Sequence, residues 1–145
     1  MANADVSIDP KIALTLATLE GMELKNYRRF QAGPDPFGRT WEVAYRWLQT
    51  GISIRHADTV DVKFHIWTAD EPKQEKVLAL RHPDLLKLSA EVDQPLTDAW
   101  CMKLAALHLK YMIETDEDME KSLITVLYSD LKRYAEVLRP ASAAR

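Results

Sequence analysis

The stretch Gly51-Ile-Ser-Ile-Arg-His-Ala-Asp-Thr-Val-Asp-Val-Lys-Phe-His-Ile-Trp67 shows the clearest pattern in this chain of 145 residues. Its second half alternates apolar and polar side chains, which is the period-2 pattern of a strand with one buried face. Its first half alternates in the same way at Ile52 and Ile54. We therefore predict a β-hairpin over residues 51–67, and we expect the other elements to pack around it.

The register of this hairpin follows if both apolar sets share one face. A three-residue loop centred on Asp58 places Ile54 opposite Val62 and Arg55 opposite Asp61. A two-residue loop would turn one apolar set into water, because side chains alternate between the two faces of a strand. The sequence therefore predicts the three-residue loop, with its aspartate in the left-handed conformation.

The first residues of the chain fit two kinds of element. Asp9 and Pro10 form a typical helix start, and Ile12 and Leu16 follow at helical spacing. The apolar residues of the same stretch also alternate, and its threonines favour a strand. We prefer the helix, and we expect residues 1–8 to be a disordered tail.

A loop and an aromatic strand are predicted next. Residues 32–38, Ala-Gly-Pro-Asp-Pro-Phe-Gly, contain two glycines and two prolines, which is typical of a loop. From Trp41 to Trp47, large apolar side chains alternate with polar ones, so we predict a strand, although helical spacing also fits. The apolar residues have odd numbers here and even numbers in the hairpin. We expect a β-bulge at Gly51 to make that switch.

The last third of the chain is predicted to be helical. Thr97 is the expected cap of a first helix with an apolar stripe. Thr115 and the acidic residues after it are expected to begin a second helix, which Pro140 ends. One further strand is predicted at residues 76–80, and residues 141–145 are expected to be a disordered tail.

The composition bounds the class of protein. Hydrophobic residues make up 47% and charged residues 28% of the chain, and the formal net charge is −3, which is typical of a globular protein without strong attraction to nucleic acid or membranes. Cys101 is the only cysteine, so an internal disulfide is excluded and a cytoplasmic location is expected. We predict one α+β domain over residues 1–145, with an antiparallel sheet of three to five strands packed against a C-terminal helical hairpin.

Three neighbouring residues are the candidates for catalysis. Asp58 could orient the ring of His56, as a general base requires, and Arg55 lies beside them. The same residues also fit an ordinary turn and a cross-strand ion pair between Arg55 and Asp61.

Other reactive residues do not combine into a site. His56 and His65 fall on opposite faces of the predicted hairpin, so we expect no metal site and no cofactor. Cys101 and His108 are separated by about 10.5 Å along a helix axis, which is too far for a catalytic pair. Both are expected to face the core.

The segment Lys25 to Phe30 mixes cationic and aromatic side chains, as single-stranded nucleic-acid sites do. A cluster this short in an acidic chain is better explained as the solvated end of an element. We expect no nucleic-acid partner and no membrane partner.

Aromatic residues provide the candidates for ligand binding. Trp67 projects onto the polar face of the predicted hairpin with Lys63 and His65, where a large indole indicates a covered surface, a subunit contact or a ligand. A pocket between sheet and helices could hold a small apolar or aromatic ligand. The residues expected to line it are Trp41, Tyr45, Trp47, His65 and Trp67.

Two classes of function remain. The first is a non-enzymatic module that binds a second copy of itself or another protein, which the amphipathic helices and aromatic strands favour. The alternative is a small-molecule-binding protein or enzyme whose pocket lies between sheet and helices, rimmed by Arg55, His56 and Asp58.

Overall fold

A five-stranded sheet covered by helices forms the fold. The computed structural model describes residues 24–51 and 58–140. The strands lie side by side in chain order, with antiparallel pairing throughout except between the last two. They are β1 (Arg29–Ala32), β2 (Trp41–Gly51), β3 (Thr59–Thr68), β4 (Glu71–Arg81) and β5 (Leu123–Thr125). The helices are α1 (His82–Val92), α2 (Asp98–Thr115) and α3 (Tyr128–Val137).

The helices pack on one face of the sheet, which we call the inner face. Strand β3 shows this directly, because its even-numbered side chains from Val60 to Thr68 are buried and its odd-numbered ones are partly exposed. Phe64 and Ile66 belong to the same core as Leu104 and Leu107 of α2. No helix of residues 24–51 or 58–140 covers the opposite, outer face. None of the helices in these ranges is long and apolar enough to cross a membrane.

The predicted α+β architecture is confirmed. The aromatic strand is β2, the strand predicted at residues 76–80 is part of β4, and the C-terminal region contains a helix pair. Thr97 caps α2, since its side chain accepts a hydrogen bond from the Trp100 N–H at 3.1 Å.

The predicted hairpin register is wrong. Strand β3 pairs with β2 rather than with residues 52–56, so Leu48 lies opposite Val62 and Gln49 lies opposite Asp61. Neither Ile54 nor Arg55 can occupy those positions, because the other side of β3 is paired with β4. The long aromatic strand offers β3 more cross-strand partners than the short run after Gly51 would, which explains the preference.

The predicted switch between faces exists, but it lies five residues earlier than Gly51. Tyr45 pairs with Phe64 and Trp47 pairs with Lys63, which leaves Arg46 as the extra residue of a bulge. Before the bulge the odd-numbered residues of β2 face the core, and after it Leu48 does.

The second helix of the predicted hairpin begins later than expected. Residues 116–122 form turns, and β5 follows before α3 begins. Asp116 and Asp118 adopt left-handed conformations, with φ of 61° and 58°, which ends α2 rather than starting a new helix. The buried ammonium of Lys76 donates to the carbonyl oxygens of Met119 and Lys121 and holds these turns against β4.

Several predictions concern residues outside the described ranges. These are the helix starting at Asp9, the disordered tails at residues 1–8 and 141–145, and the conformation of residues 52–57.

A buried carboxylate organises the loop between β1 and β2. The side chain of Asp35, only 3% exposed, accepts hydrogen bonds at Oδ1 from the N–H groups of Phe37 and Arg39. Its Oδ2 accepts from the Arg39 guanidinium at 2.8 Å and from the Trp41 indole at 3.0 Å. Burial acts to raise the pKa of this carboxyl, but the hydrogen bonds prevail and lower the pKa to about 2.

We expect Asp35→Asn to lower the melting temperature at pH 7, because the amide presents an N–H₂ group to donors that need an acceptor. The carboxylate stabilises the fold above its unfolded pKa of 3.8, and this contribution is lost as the pH falls from 3.8 towards 2. The difference between wild type and variant should therefore shrink over that interval in thermal denaturation followed by circular dichroism. Asp70→Asn, the same change at an exposed turn, should have no comparable effect.

A second buried polar group connects α2 to α3. His108 Nδ1 lies 2.7 Å from the Tyr134 hydroxyl, and the Arg133 guanidinium donates to that hydroxyl at 3.2 Å. The Tyr134 hydroxyl therefore lies within hydrogen-bond distance of both the Arg133 guanidinium and the His108 imidazole. Burial lowers the pKa of His108, and the Arg133 charge lowers it further against the opposing effect of Asp130.

The fold should lose stability in mild acid because of this histidine. Its pKa in the folded state is below the ordinary 6.5, so the unfolded chain takes up the proton first as the pH falls through 6.5. Denaturant titrations between pH 7 and pH 5 should show a smaller loss for His108→Asn than for wild type, whereas His82→Asn should follow wild type. An unchanged slope for His108→Asn would contradict this.

At pH 7, Tyr134→Phe should lower the free energy of unfolding by about 1–3 kcal/mol, because it leaves a buried nitrogen of His108 without its partner.

Candidate functional site

The outer face of the sheet brings together three of the residues expected to bind a ligand. Trp47 pairs across the strands with Lys63, and the next rows place His65 beside Ala44 and Trp67 beside Glu42. Because paired residues share a face, Trp47, His65 and Trp67 all project away from the helices. The predicted position of Trp67 beside Lys63 and His65 is confirmed.

An apolar row crosses this face. Lys63 separates Trp47 on β2 from Val77 on β4, and Val77 pairs in turn with Leu123 on β5. Trp47 is 36% exposed at one end of the row, and Leu123 is 63% exposed at the other end. We call Trp47, Lys63, His65, Trp67, Val77 and Leu123 the tryptophan face.

Cations lie against both indoles of the tryptophan face. The Arg29 guanidinium lies 4.8 Å and the Lys73 ammonium 4.9 Å from the Trp67 ring centroid. The Lys63 ammonium lies 5.6 Å from the Trp47 ring. Such cation–π contacts restrict the rotamers of the cationic side chains and of the indoles.

Two of the three cations that lie against the indoles have carboxylate partners. Glu75 lies 3.1 Å from the Lys63 ammonium and 3.6 Å from Nε2 of His65. The hydrogen bond and charge of Lys63 lower the pKa of Glu75. Arg29 and Glu42 form a second pair at 3.8 Å. The face therefore presents two aromatic side chains within a nearly neutral polar frame.

The five residues expected to line one pocket lie on two faces. Trp41 is buried on the inner face, and Tyr45 packs there against Phe64 with ring centroids 6.0 Å apart. Trp47 was expected beside them, but the bulge at Arg46 turns it outwards. These five side chains cannot surround a single ligand.

The structure contains one of the three candidates for catalysis. Arg55 and His56 lie outside the described residues. Asp58 is exposed, and its backbone carbonyl accepts a hydrogen bond from the His82 N–H at 2.8 Å. This bond joins the start of β3 to the start of α1, which is a structural role.

Cys101 and His108 belong to the core, as predicted from their spacing. The thiol is buried, and burial raises its pKa to about 12, so it is protonated and a poor nucleophile at neutral pH. Residues 24–51 and 58–140 include no group of three or more metal-ligating side chains.

A cleft of about 430 Å³ lies between the segment that precedes β1 and the helices α2 and α3. The residues that line it are Leu24, Lys25, Asn26, Tyr27, Arg28, Met102, Lys103 and Leu138. None of them was among the expected site residues. The mixture of cations and aromatics in Lys25 to Phe30 was visible in the sequence, but the approach of α2 and α3 to it was not.

Comparisons with known proteins leave the fold and this geometry as the basis for assigning a function. The chain matches no protein-family model, no curated protein and no solved structure.

Proposed function

We propose that this chain is a non-enzymatic interaction module that contacts a protein through the tryptophan face. The partner is a second copy of the chain or another protein. The observation that supports this most is the row from Trp47 to Leu123, which places exposed apolar side chains on a face that no described helix covers.

The chemistry of the face suits protein recognition. Tryptophan and arginine are enriched among the residues that dominate binding energy, and these residues are usually surrounded by a polar rim. Here Trp47 and Trp67 have such a rim in Lys63, Glu75 and Arg29. Because Lys63 and Arg29 are already paired with carboxylates, a partner can cover these two cations without isolating their charges.

The rigidity of the face also favours binding. Both indoles project from central strands of the sheet. Trp67 is held by cation–π contacts with Arg29 of β1 and Lys73 of β4, and Trp47 by one with Lys63 of β3. A partner therefore meets side chains whose rotamers are already restricted, which lowers the entropic cost of association.

We expect sedimentation velocity over a concentration series to show reversible association of the wild-type chain. Trp47→Gln should weaken it by at least about thirtyfold, as loss of a central aromatic contact does. Leu86→Gln is the matched control, since Leu86 is 53% exposed on α1, in the helical layer behind the inner face.

A monomeric wild type at all concentrations would exclude self-association. Binding to another protein is then tested by placing a photo-crosslinking residue at Gln49, an exposed position of the outer face. A specific crosslinked protein in cells that express the chain is expected, and its absence would contradict the proposal.

The alternative function is a small-molecule-binding protein or enzyme with a pocket between sheet and helices, rimmed by Arg55, His56 and Asp58. The cleft between the segment that precedes β1 and the helices supports this class through its volume, although none of the described residues that line it belongs to the named rim. His56→Ala tests the named rim, since ligand binding or activity should then be lost while the fold is retained.

A further inference from the structure

The geometry points to a binding site for an amphiphilic anion in the cleft between the β1 segment and the helices α2 and α3. The ligand is a small molecule with one anionic group, such as a carboxylate, and an apolar tail. This inference rests on the small-molecule alternative and is independent of the tryptophan face.

The size of the cleft and the apolar side chains that line it suit an apolar tail. Its volume of about 430 Å³ falls within the range of roughly 300–1,000 Å³ that is typical of small-molecule sites. Its lining includes Met102, which is buried, and Leu24 and Leu138, which are half-buried. Methionine adapts to ligands of irregular shape, because its side chain is unbranched and flexible.

The described walls of the cleft are positively charged. Among the residues that the structure describes, Lys25, Arg28 and Lys103 line the cleft and no aspartate or glutamate does. The other lining polar residues are the neutral Asn26 and Tyr27. The cleft therefore combines three cations with three apolar side chains, in a chain whose net charge is negative.

These three cations differ from Lys63 and Arg29 on the tryptophan face. Lys63 and Arg29 have carboxylate partners there, whereas Lys25, Arg28 and Lys103 form no ion pair with any carboxylate in the part of the chain that the structure describes. An anionic group in the cleft would thus meet positive charge that no described carboxylate neutralises, and it could form charge-assisted hydrogen bonds with it.

Two of the three cations of the cleft are also held in place by aromatic rings. The Lys103 ammonium lies 5.6 Å from the Tyr27 ring, and the Arg28 guanidinium lies 5.6 Å from the Tyr45 ring. The Tyr27 hydroxyl accepts a hydrogen bond from the Leu24 N–H at 3.3 Å, which closes the turn that forms one wall. A ligand therefore has less side-chain freedom to remove on binding.

The test is isothermal titration of the full chain with decanoate below its micellar concentration. Decan-1-ol, decyltrimethylammonium and acetate serve as probes for the charge and the tail. We expect saturable binding of decanoate at one site per chain, weaker binding of decan-1-ol, and none of the cation or of acetate. The affinity for decanoate should fall as salt is added, because the charges are partly exposed.

A triple variant locates the site. Lys25→Gln, Arg28→Gln and Lys103→Gln together should weaken decanoate binding by at least about tenfold, through loss of charge-assisted contacts. The matched control is Arg46→Gln, Lys73→Gln and Lys87→Gln, which removes the same number of lysines and arginines. These control cations also lack ion pairs among the described residues, and two of them lie over aromatic rings, as in the cleft. Equal melting temperatures would show that both variants fold.

Three results would overturn the inference. Equal loss of decanoate binding in both triple variants would show a response to net charge rather than a site. Tighter binding of decan-1-ol or of the ammonium probe would keep a small-molecule site but exclude an anionic ligand. Binding of none of the probes with a ten-carbon tail would exclude the amphiphile, whereas the small-molecule alternative itself is judged by His56→Ala.

Discussion

The arrangement of this molecule depends on one extra residue in its longest aromatic strand. Without the bulge at Arg46, a continuous alternation would place Trp47 with Trp41 and Tyr45 on the inner face and turn Leu48 outwards. The bulge instead places Leu48 on the inner face, opposite Val62. The same shift places an indole on the outer face beside Lys63. Core packing and the candidate interaction face therefore have one local cause.

Most of the reactive side chains of this chain are used by the fold itself. Asp35 completes a loop, Lys76 holds the turns before β5, and His108 connects two helices through Tyr134. In each case the polar group is buried and its hydrogen bonds compensate for the loss of water. A carboxylate, an ammonium and an imidazole in a sequence suggest chemistry, yet here each is satisfied by neighbouring atoms. Function must therefore be sought among the side chains that remain at the surface.

The sequence predicts the layers of this fold better than their register. Alternation identified β2 and β3, and the Thr97 cap identified α2, because those signals are local. The pairing of β3 with β2 instead of Ile52 and Ile54 depends on competition between distant partners, which local alternation cannot rank. The left-handed aspartates before β5 also resemble the acidic first turn of a helix. For the same reason the outer position of Trp67 was predictable, whereas the cleft was not, since helices distant in sequence form it.

The distribution of charge separates the two candidate surfaces. On the tryptophan face Lys63 and Arg29 already have carboxylate partners, so a further anion would compete there with Glu75 or Glu42 and gain little. That face gains most by covering its aromatic side chains, which a protein surface can do. In the cleft the reverse holds, because its cations form no ion pair with any described carboxylate, and the apolar side chains beside them line a space too small for a folded partner. A small anion with a tail satisfies both properties of the cleft, and neither property of the face. If both surfaces are used, they need not compete, since one lies on the outer side of the sheet and the other against the helices.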